Sequence, residues 1–271
     1  MKITNPNFVF PQVLAESKVK TLETGATKPI VIMGRDKKLY TLTTCVAKPI
    51  RFNRMSEIAS LSELCASFIA SELDLKVPSP VIVEITEDFC ELYRGEETFQ
   101  SLHNSIGLNF GTVYMEGWTT WNNDVHLLQK FHKNLLNIFI FDMFIENGDR
   151  RPDKPNMFTN REEIYIYDHE TSFSFLHMFS SALNPAPWKL NSGDMYTADN
   201  HILFPYLKNK DFVSEDFFEK FDNLNTEFWS KAESLIPDAW RCDNFEKIKN
   251  YLSLKVINAD KYKDEIRRLL S

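Results

Sequence analysis

The sequence predicts an α+β fold in which a small strand-rich region comes first and a larger helical region follows. Three observations carry this prediction. β-Branched and apolar runs broken by turn residues crowd the first 116 positions, and three- and four-residue apolar spacing takes over from about residue 123. The third is the make-up, 43% hydrophobic and 25% charged over 271 residues, which suits a globular chain able to bury a sizeable core.

Residues 29–45 read as a β-hairpin, because "PIVIMG" and "KLYTLTTC" are rich in β-branched and apolar residues and "GRDKK" supplies the turn. A helix is expected over 56–73. There Ile58, Leu61, Leu64, Cys65, Phe68, Ile69 and Leu73 recur at helical spacing, and Ser56 can cap the start. The prolines of "VPSP" stop it. "VIVEIT" and "GTVYMEG" read as further strands, and a boundary is placed near Gly117. Beyond it, "DVHLLQKFHKNLLNIFIFDMFIEN" reads as one long helix, apolar on most of its faces and therefore central. A polar loop, the strand "EIYIYD" and an irregular stretch over 171–200 come next. From Ser214 the pattern is helical to the end, in "SEDFFEKFDNLNTEFWSKAESLI" and "NFEKIKNYLSLKVINADKYKDEIRRLL".

Composition narrows the function classes. With 8 glycines there is no glycine-rich linker, and a net charge of −7 argues against a nucleic-acid surface covering the protein. Direct nucleic-acid binding is therefore not expected. Cys45, Cys65, Cys90 and Cys242 are scattered without a CxxC pair, as reduced core thiols are, and the histidines show no zinc-binding spacing. The first residues carry no apolar core of signal-peptide length, and the longest uncharged apolar run, around 135–141, falls far short of a membrane span. A cytoplasmic protein without a membrane partner is expected; no pattern specifies an oligomeric state.

The chemistry concentrates in "FDMFIENGDRRPDKPN" (141–156) and "IYIYDHE" (164–170). Asp149, on a loop just after a rigid buried helix, is held in place yet reaches solvent. Asn156, past a proline-stiffened turn, can fold back beside it, and Asp168 at the end of a nearby strand completes an oxygen-rich corner. Mg²⁺ takes such hard oxygen ligands. Phosphoryl transfer needs that metal site plus one carboxylate to orient the attacking hydroxyl. The same letters also suit a plain solvated turn, since Asn, Asp, Gly and Pro are turn residues anyway. Asp142, inside the apolar helix, needs a partner because an unpaired buried charge is costly. That partner is expected to be backbone or a basic residue near the loop. The aromatic "TSFSFLHMF" (171–179) is expected in the core.

These two motifs resemble the HipA-like kinases, in particular their short single-unit branch. The likeness extends to "LETGATKPIVIMGRDKKLYTL", "LSELCASFIASELDLKVPSP", "GLNFGTVYMEG" and "ESLIPDAW", and so spans most of the chain from Leu22 onward. The resemblance implies a bilobal kinase-like fold, with a β-rich N-lobe over 1–116, a helical C-lobe over 117–271 and ATP between them. It implies that Asp149 is the catalytic aspartate, with Arg150 beside it bracing the loop. Asn156 and Asp168 hold Mg²⁺, and residues 24–27, with Gly25 and Thr27, cover the phosphates. Glu63 is the lysine-pairing glutamate, Met115 and Glu116 line the adenine hinge, and His169 orients the strand end. The implied activity is an ATP- and Mg²⁺-dependent transfer to a protein Ser or Thr hydroxyl.

The family also expects a phosphate-contacting lysine on the second hairpin strand. The register puts Thr43 there, leaving Lys48, or Lys28 from the loop, as substitutes. A pseudokinase that binds nucleotide or a partner without transfer is the reading this departure motivates. A kinase for a small molecule or lipid headgroup is a further alternative. On a helical wheel Glu63 lies opposite the apolar stripe, and so faces either the cleft or water.

Overall fold

The computed structural model describes residues 2–22, 28–51, 55–177, 183–241 and 243–271. Strands β1 (Gln12–Thr21), β2 (Ile30–Asp36) and β3 (Leu42–Lys48) form an antiparallel meander. Helix α1 (Glu57–Glu72) follows, then β4 (Pro80–Ile85), the short helices α2 (Glu87–Glu91) and α3 (Phe99–Asn104), and β5 (Gly107–Val113). The five strands close into a barrel of order β1-β2-β3-β5-β4, sealed by a parallel β1–β4 pairing. Closure removes the sheet edges that an open hairpin would leave. The predicted 29–45 hairpin is real, but β3 runs three residues further, to Lys48. Along it Cys45 and Ala47 point into the barrel interior, and the alternation of a strand sends Val46 and Lys48 to the opposite face.

Helix α1 matches its predicted span. Ser56 accepts the Ala59 N–H at 3.1 Å, and the chain leaves through Asp74 in the left-handed region (φ 61°). It is buried almost all round, so its polar positions face other protein rather than water. A small sheet of β6 (Thr119–Thr120), β7 (Met157–Thr159) and β8 (Ile164–Ile166) lies further along the chain.

The long helix predicted over 124–147 is two helices, α4 (Val125–Lys130) and α5 (His132–Phe144), joined at Phe131. Every α5 residue from Leu135 to Phe144 is buried, as expected of a central helix. Its C-terminal end is held from below: Lys255, itself buried, donates to the Phe144 carbonyl at 2.9 Å. A cation there meets the negative end of the helix dipole.

Helix α6 (Ser192–Asn200) occupies ground the sequence marks as irregular, and α7 (Phe204–Leu207) follows just beyond it. Helix α6 escapes periodicity because only Ala198 is buried along it, yet Asn191 and Asp194 form a full capping box. The remaining helices are α8 (Glu215–Glu219), α9 (Thr226–Leu235), α10 (Asp243–Ile257) and α11 (Ala259–Leu270). Phe173 and Phe175 are core residues, as the aromatic spacing predicts. The main core is continuous from Phe10 and α1 through α5 to α11, while a second cluster fills the barrel. Cys45, Cys65 and Cys90 are buried free thiols, and Cys242 lies outside the described residues. No helix among the described residues is long and apolar enough to cross a membrane.

Candidate active site

The last residue of β3 organises the site. The Lys48 ammonium contacts Glu63 of α1 and Asp168 just past β8, and reaches Glu170 at 3.1 Å. Burial opposes its charge, but the three carboxylates outweigh burial and hold the ammonium well above the ordinary lysine range. Glu63, 2% exposed, gives its other oxygen to the His169 backbone N–H at 3.0 Å. Burial lifts the Glu63 carboxyl, and Lys48 and that N–H pull the other way. Of the two directions open to it, Glu63 takes the cleft side: it lines the cavity there, nearly sealed from water, and links α1, β3 and the segment after β8.

The loop after α5 rests on a second ionic cluster. Arg150 and Asp142 are both fully buried and paired in a fork, and Asn147 donates to Asp142 at 2.7 Å. His201 completes this cluster. Its Nδ1 accepts the Leu203 N–H at 3.1 Å, so Nε2 carries the proton and donates to Asp142 Oδ2 at 3.1 Å. Burial alone would raise the Asp142 carboxyl, yet Arg150 and His201 hold it well below the usual carboxylate range. Arg150 also donates to the Asn156 carbonyl and to His169 Nε2, at 3.1 Å for the latter. That leaves the His169 proton on Nδ1, and burial followed by the Arg150 charge lowers its pKa to about 3. His169 is a neutral strut between the two clusters.

From these mounts project Asp149, Asn156 and Asp168. Asn156 donates its amide to the Asp149 carbonyl at 3.3 Å, so the loop does fold back on itself. Asn156 (φ 49°) and Asp168 (φ 65°) both adopt the left-handed backbone, which Asn and Asp tolerate better than most residues. Strand β8 stops at Ile166, two residues before Asp168, and the Tyr167 N–H still donates to the Asn156 carbonyl opposite it at 3.1 Å. That bond ties the Asn156 turn to the approach to Asp168. Between Asp149 and Asp168 stands Lys154, 2.6 Å from Asp149 Oδ2 and 2.9 Å from Asp168 Oδ2.

A cavity of about 410 Å³ opens over this cluster. Leu22, Val46, Val77, Phe110, Met115 and Ile166 give it apolar walls, while Lys48, Lys154, Asn156 and Asp168 give it charged and polar groups. Greasy walls with a few convergent polar groups are what a small-ligand site requires. A family model described as HipA-like kinase matches residues 16–263 of the 271.

The chain belongs to the HipA-like kinase family.

No match to the chain is found among curated proteins. Membership makes this HipA-like kinase a phosphotransferase of the kinase type, a class that uses ATP and Mg²⁺ in general. Its donor set fits a hard divalent cation. The oxygens of Glu63, Asp168 and Glu170 lie within 4.8 Å of one another, Asn156 adds an amide oxygen, and four carboxylates with Asp149 outnumber two ammonium groups.

Set against the sequence-based expectations, the HipA-like kinase brings Lys48, Glu63, Asp149, Asn156 and Asp168 into one site, and Met115 lines its cavity. Four expectations change or fall elsewhere. Thr43 does not occupy the lysine position: it pairs with Gly34 near the hairpin turn, and Lys48 sits at the far end of the same strand. Lys28 is exposed and away from the cavity lining, as is Glu116. Arg150 is sealed behind the loop, where it contacts Asp142, the Asn156 carbonyl and His169 Nε2 and does not itself line the cavity. Gly25 and Thr27 lie outside the described residues, although Leu22 and Pro29 on either side both line the cavity. Sequence reasoning missed Lys154, Glu170 and His201. The first two were legible as charged neighbours of Asn156 and Asp168, whereas nothing local marks His201.

Proposed function

We propose that this HipA-like kinase transfers the γ-phosphoryl group of ATP, with Mg²⁺, to a Ser or Thr hydroxyl of a protein. The observation that carries this reading is the Lys48 ammonium joined to both Glu63 and Asp168. Kinases need a strand lysine paired to a helix glutamate and set against a metal-binding aspartate. The proposal treats residues 1–116 as an N-lobe and 117–271 as a C-lobe, with ATP in the cavity where Lys48 and Asp168 meet. The buried free thiols suit a reducing cytoplasm.

In this reading Lys48 neutralises charge on the α- and β-phosphates, and Glu63 holds it at the correct reach. Asn156 and Asp168 would hold Mg²⁺, which supplies charge neutralisation on the phosphates. Asp149 orients the acceptor hydroxyl and takes its proton. Arg150, pinned by Asp142, fixes the loop that carries Asp149, and the apolar walls around Met115 take the adenine. The pseudokinase alternative drew its motive from a missing strand lysine, and Lys48 removes that motive.

The test has two stages. Thermal stabilisation by MgATP is compared between wild type and Asp168→Ala, and labelled γ-phosphate transfer to lysate proteins is compared between wild type and Asp149→Asn. Stabilisation and labelling in wild type alone are expected. No wild-type stabilisation refutes nucleotide binding, equal labelling refutes Asp149 as the proton acceptor, and labelling only of small molecules or lipids refutes the protein acceptor.

A further inference from the structure

Lys154 has no part in the roles given so far, yet it stands where they converge. One ammonium spans the carboxylate assigned to the acceptor proton and the carboxylate assigned to the metal, at 2.6 and 2.9 Å. Lys154 lines the cavity and Asp149 does not, so the lysine is interposed between the cavity and Asp149. Its backbone is fixed: Lys154 and Arg151 exchange two backbone hydrogen bonds of 3.0 and 3.1 Å, and prolines stand at 152 and 155. Its side chain is 28% exposed, and a four-carbon stem lets the charge swing while the loop stays put.

Two carboxylates reaching for one cation also describe a divalent-metal position. Asp168 Oδ1 is already on Lys48, so Oδ2 is the oxygen left for a metal, and it is the oxygen that Lys154 holds. An ammonium and a divalent cation cannot both have it at close range. Once displaced from Asp168, Lys154 still reaches Asp149. The group that must lie beside Asp149 during reaction is the phosphoryl group under attack.

We propose that Lys154 is a further catalytic residue of this site: in the free protein it fills the metal position between Asp149 and Asp168, and during transfer it binds the γ-phosphoryl oxygens. The proposal rests on the phosphotransferase reading. In the step, the acceptor oxygen bonds to the γ-phosphorus as the bond from that phosphorus to the β–γ bridging oxygen breaks. The hydroxyl proton passes to Asp149, and ADP leaves with the bridging electron pair. Lys154 remains an ammonium throughout and donates to oxygens whose negative charge shifts during transfer, where preorganised donors are most effective.

The experiment compares wild type, Lys154→Gln and Lys154→Arg in the full chain. Mn²⁺ binding without nucleotide, followed by electron paramagnetic resonance, reads the first half of the proposal. The glutamine variant is expected to bind Mn²⁺ about tenfold tighter than wild type, because the competing cation is gone, and the arginine variant to stay close to wild type. Transfer kinetics read the second half: kcat falls about 10²- to 10³-fold in the glutamine variant with little change in KM for ATP, and arginine restores part of it. Equal Mn²⁺ affinity in wild type and Lys154→Gln overturns the occupancy of the metal position. Wild-type kcat in Lys154→Gln overturns the catalytic role. A wild-type protein that binds no MgATP overturns the phosphotransferase reading, and this proposal with it, and so is distinct from both.

Discussion

Replacing Arg150 by methionine tests the mount under the catalytic loop. In the wild type Asp142 and Arg150 are both fully buried, and Asp142 keeps two further donors, Asn147 at 2.7 Å and His201 at 3.1 Å. Removing one partner of a buried pair leaves an uncompensated charge, a loss of about 3–5 kcal/mol. The two remaining donors put the expected loss near the lower figure. At roughly 2–4 °C per kcal/mol for a chain of this size, the melting temperature should fall by about 6–12 °C at pH 7. The pH dependence identifies the cause. Wild-type Asp142 has a depressed pKa, so its stabilisation is present above the unfolded value of about 4 and is lost only as pH falls through the folded value. Without Arg150, burial raises the Asp142 pKa, so the penalty is full at neutrality and is relieved as the carboxyl protonates on acidification. The gap between the two proteins should therefore be widest near pH 7 and shrink toward about pH 4.5. Thermal melts by circular dichroism across that range measure it. Adding Asp142→Leu to the methionine variant should recover most of the loss, since a well-packed apolar replacement needs no counter-charge. A gap that is independent of pH, or no recovery in the double variant, would refute the assignment.

Asp149→Asn should leave MgATP affinity within about threefold of wild type while lowering kcat by about 10²-fold or more, read by single-turnover transfer. Lys48→Met should weaken MgATP binding and slow transfer together, measured by calorimetry and labelled transfer, because the buried Glu63 and the partly buried Asp168 and Glu170 lose their common cation. Its stability loss should also be relieved as pH falls, by protonation of those carboxylates. Gly34→Ala should cost about 1–3 kcal/mol in denaturant melts, because a Cβ there meets Val13 Cγ1 and, at 2.6 Å, the Leu14 carbonyl, and the barrel backbone has little room to give.

Much of the fold was legible because its causes are local. Ser56 and the apolar spacing after it fix α1, and the Pro-rich exit ends it. The break at Phe131 was not legible: the apolar pattern passes through it unchanged, and only packing separates α4 from α5. The polar loop announced Asp149 and Asn156, and the strand run after it announced Asp168, through residue type and spacing. The strand lysine did not announce itself. Its identity depends on where β3 ends, and Lys48 continues the alternation of Cys45, Val46 and Ala47 past the point where β-branched composition gives out.

By itself the sequence determined the β2–β3 hairpin, α1, the α+β class and the loop chemistry, since capping, periodicity and turn formation act within a few residues. Tertiary structure decided which charges meet. Lys48 finds Glu63 15 positions away and Asp168 120 positions away, and His201 reaches Asp142 across 59. Those pairings are set by how α1, β3 and the segments after α5 and β8 pack together. No local rule could have paired them, because a buried charge is stabilised by whatever the fold places beside it, wherever that residue stands in the chain.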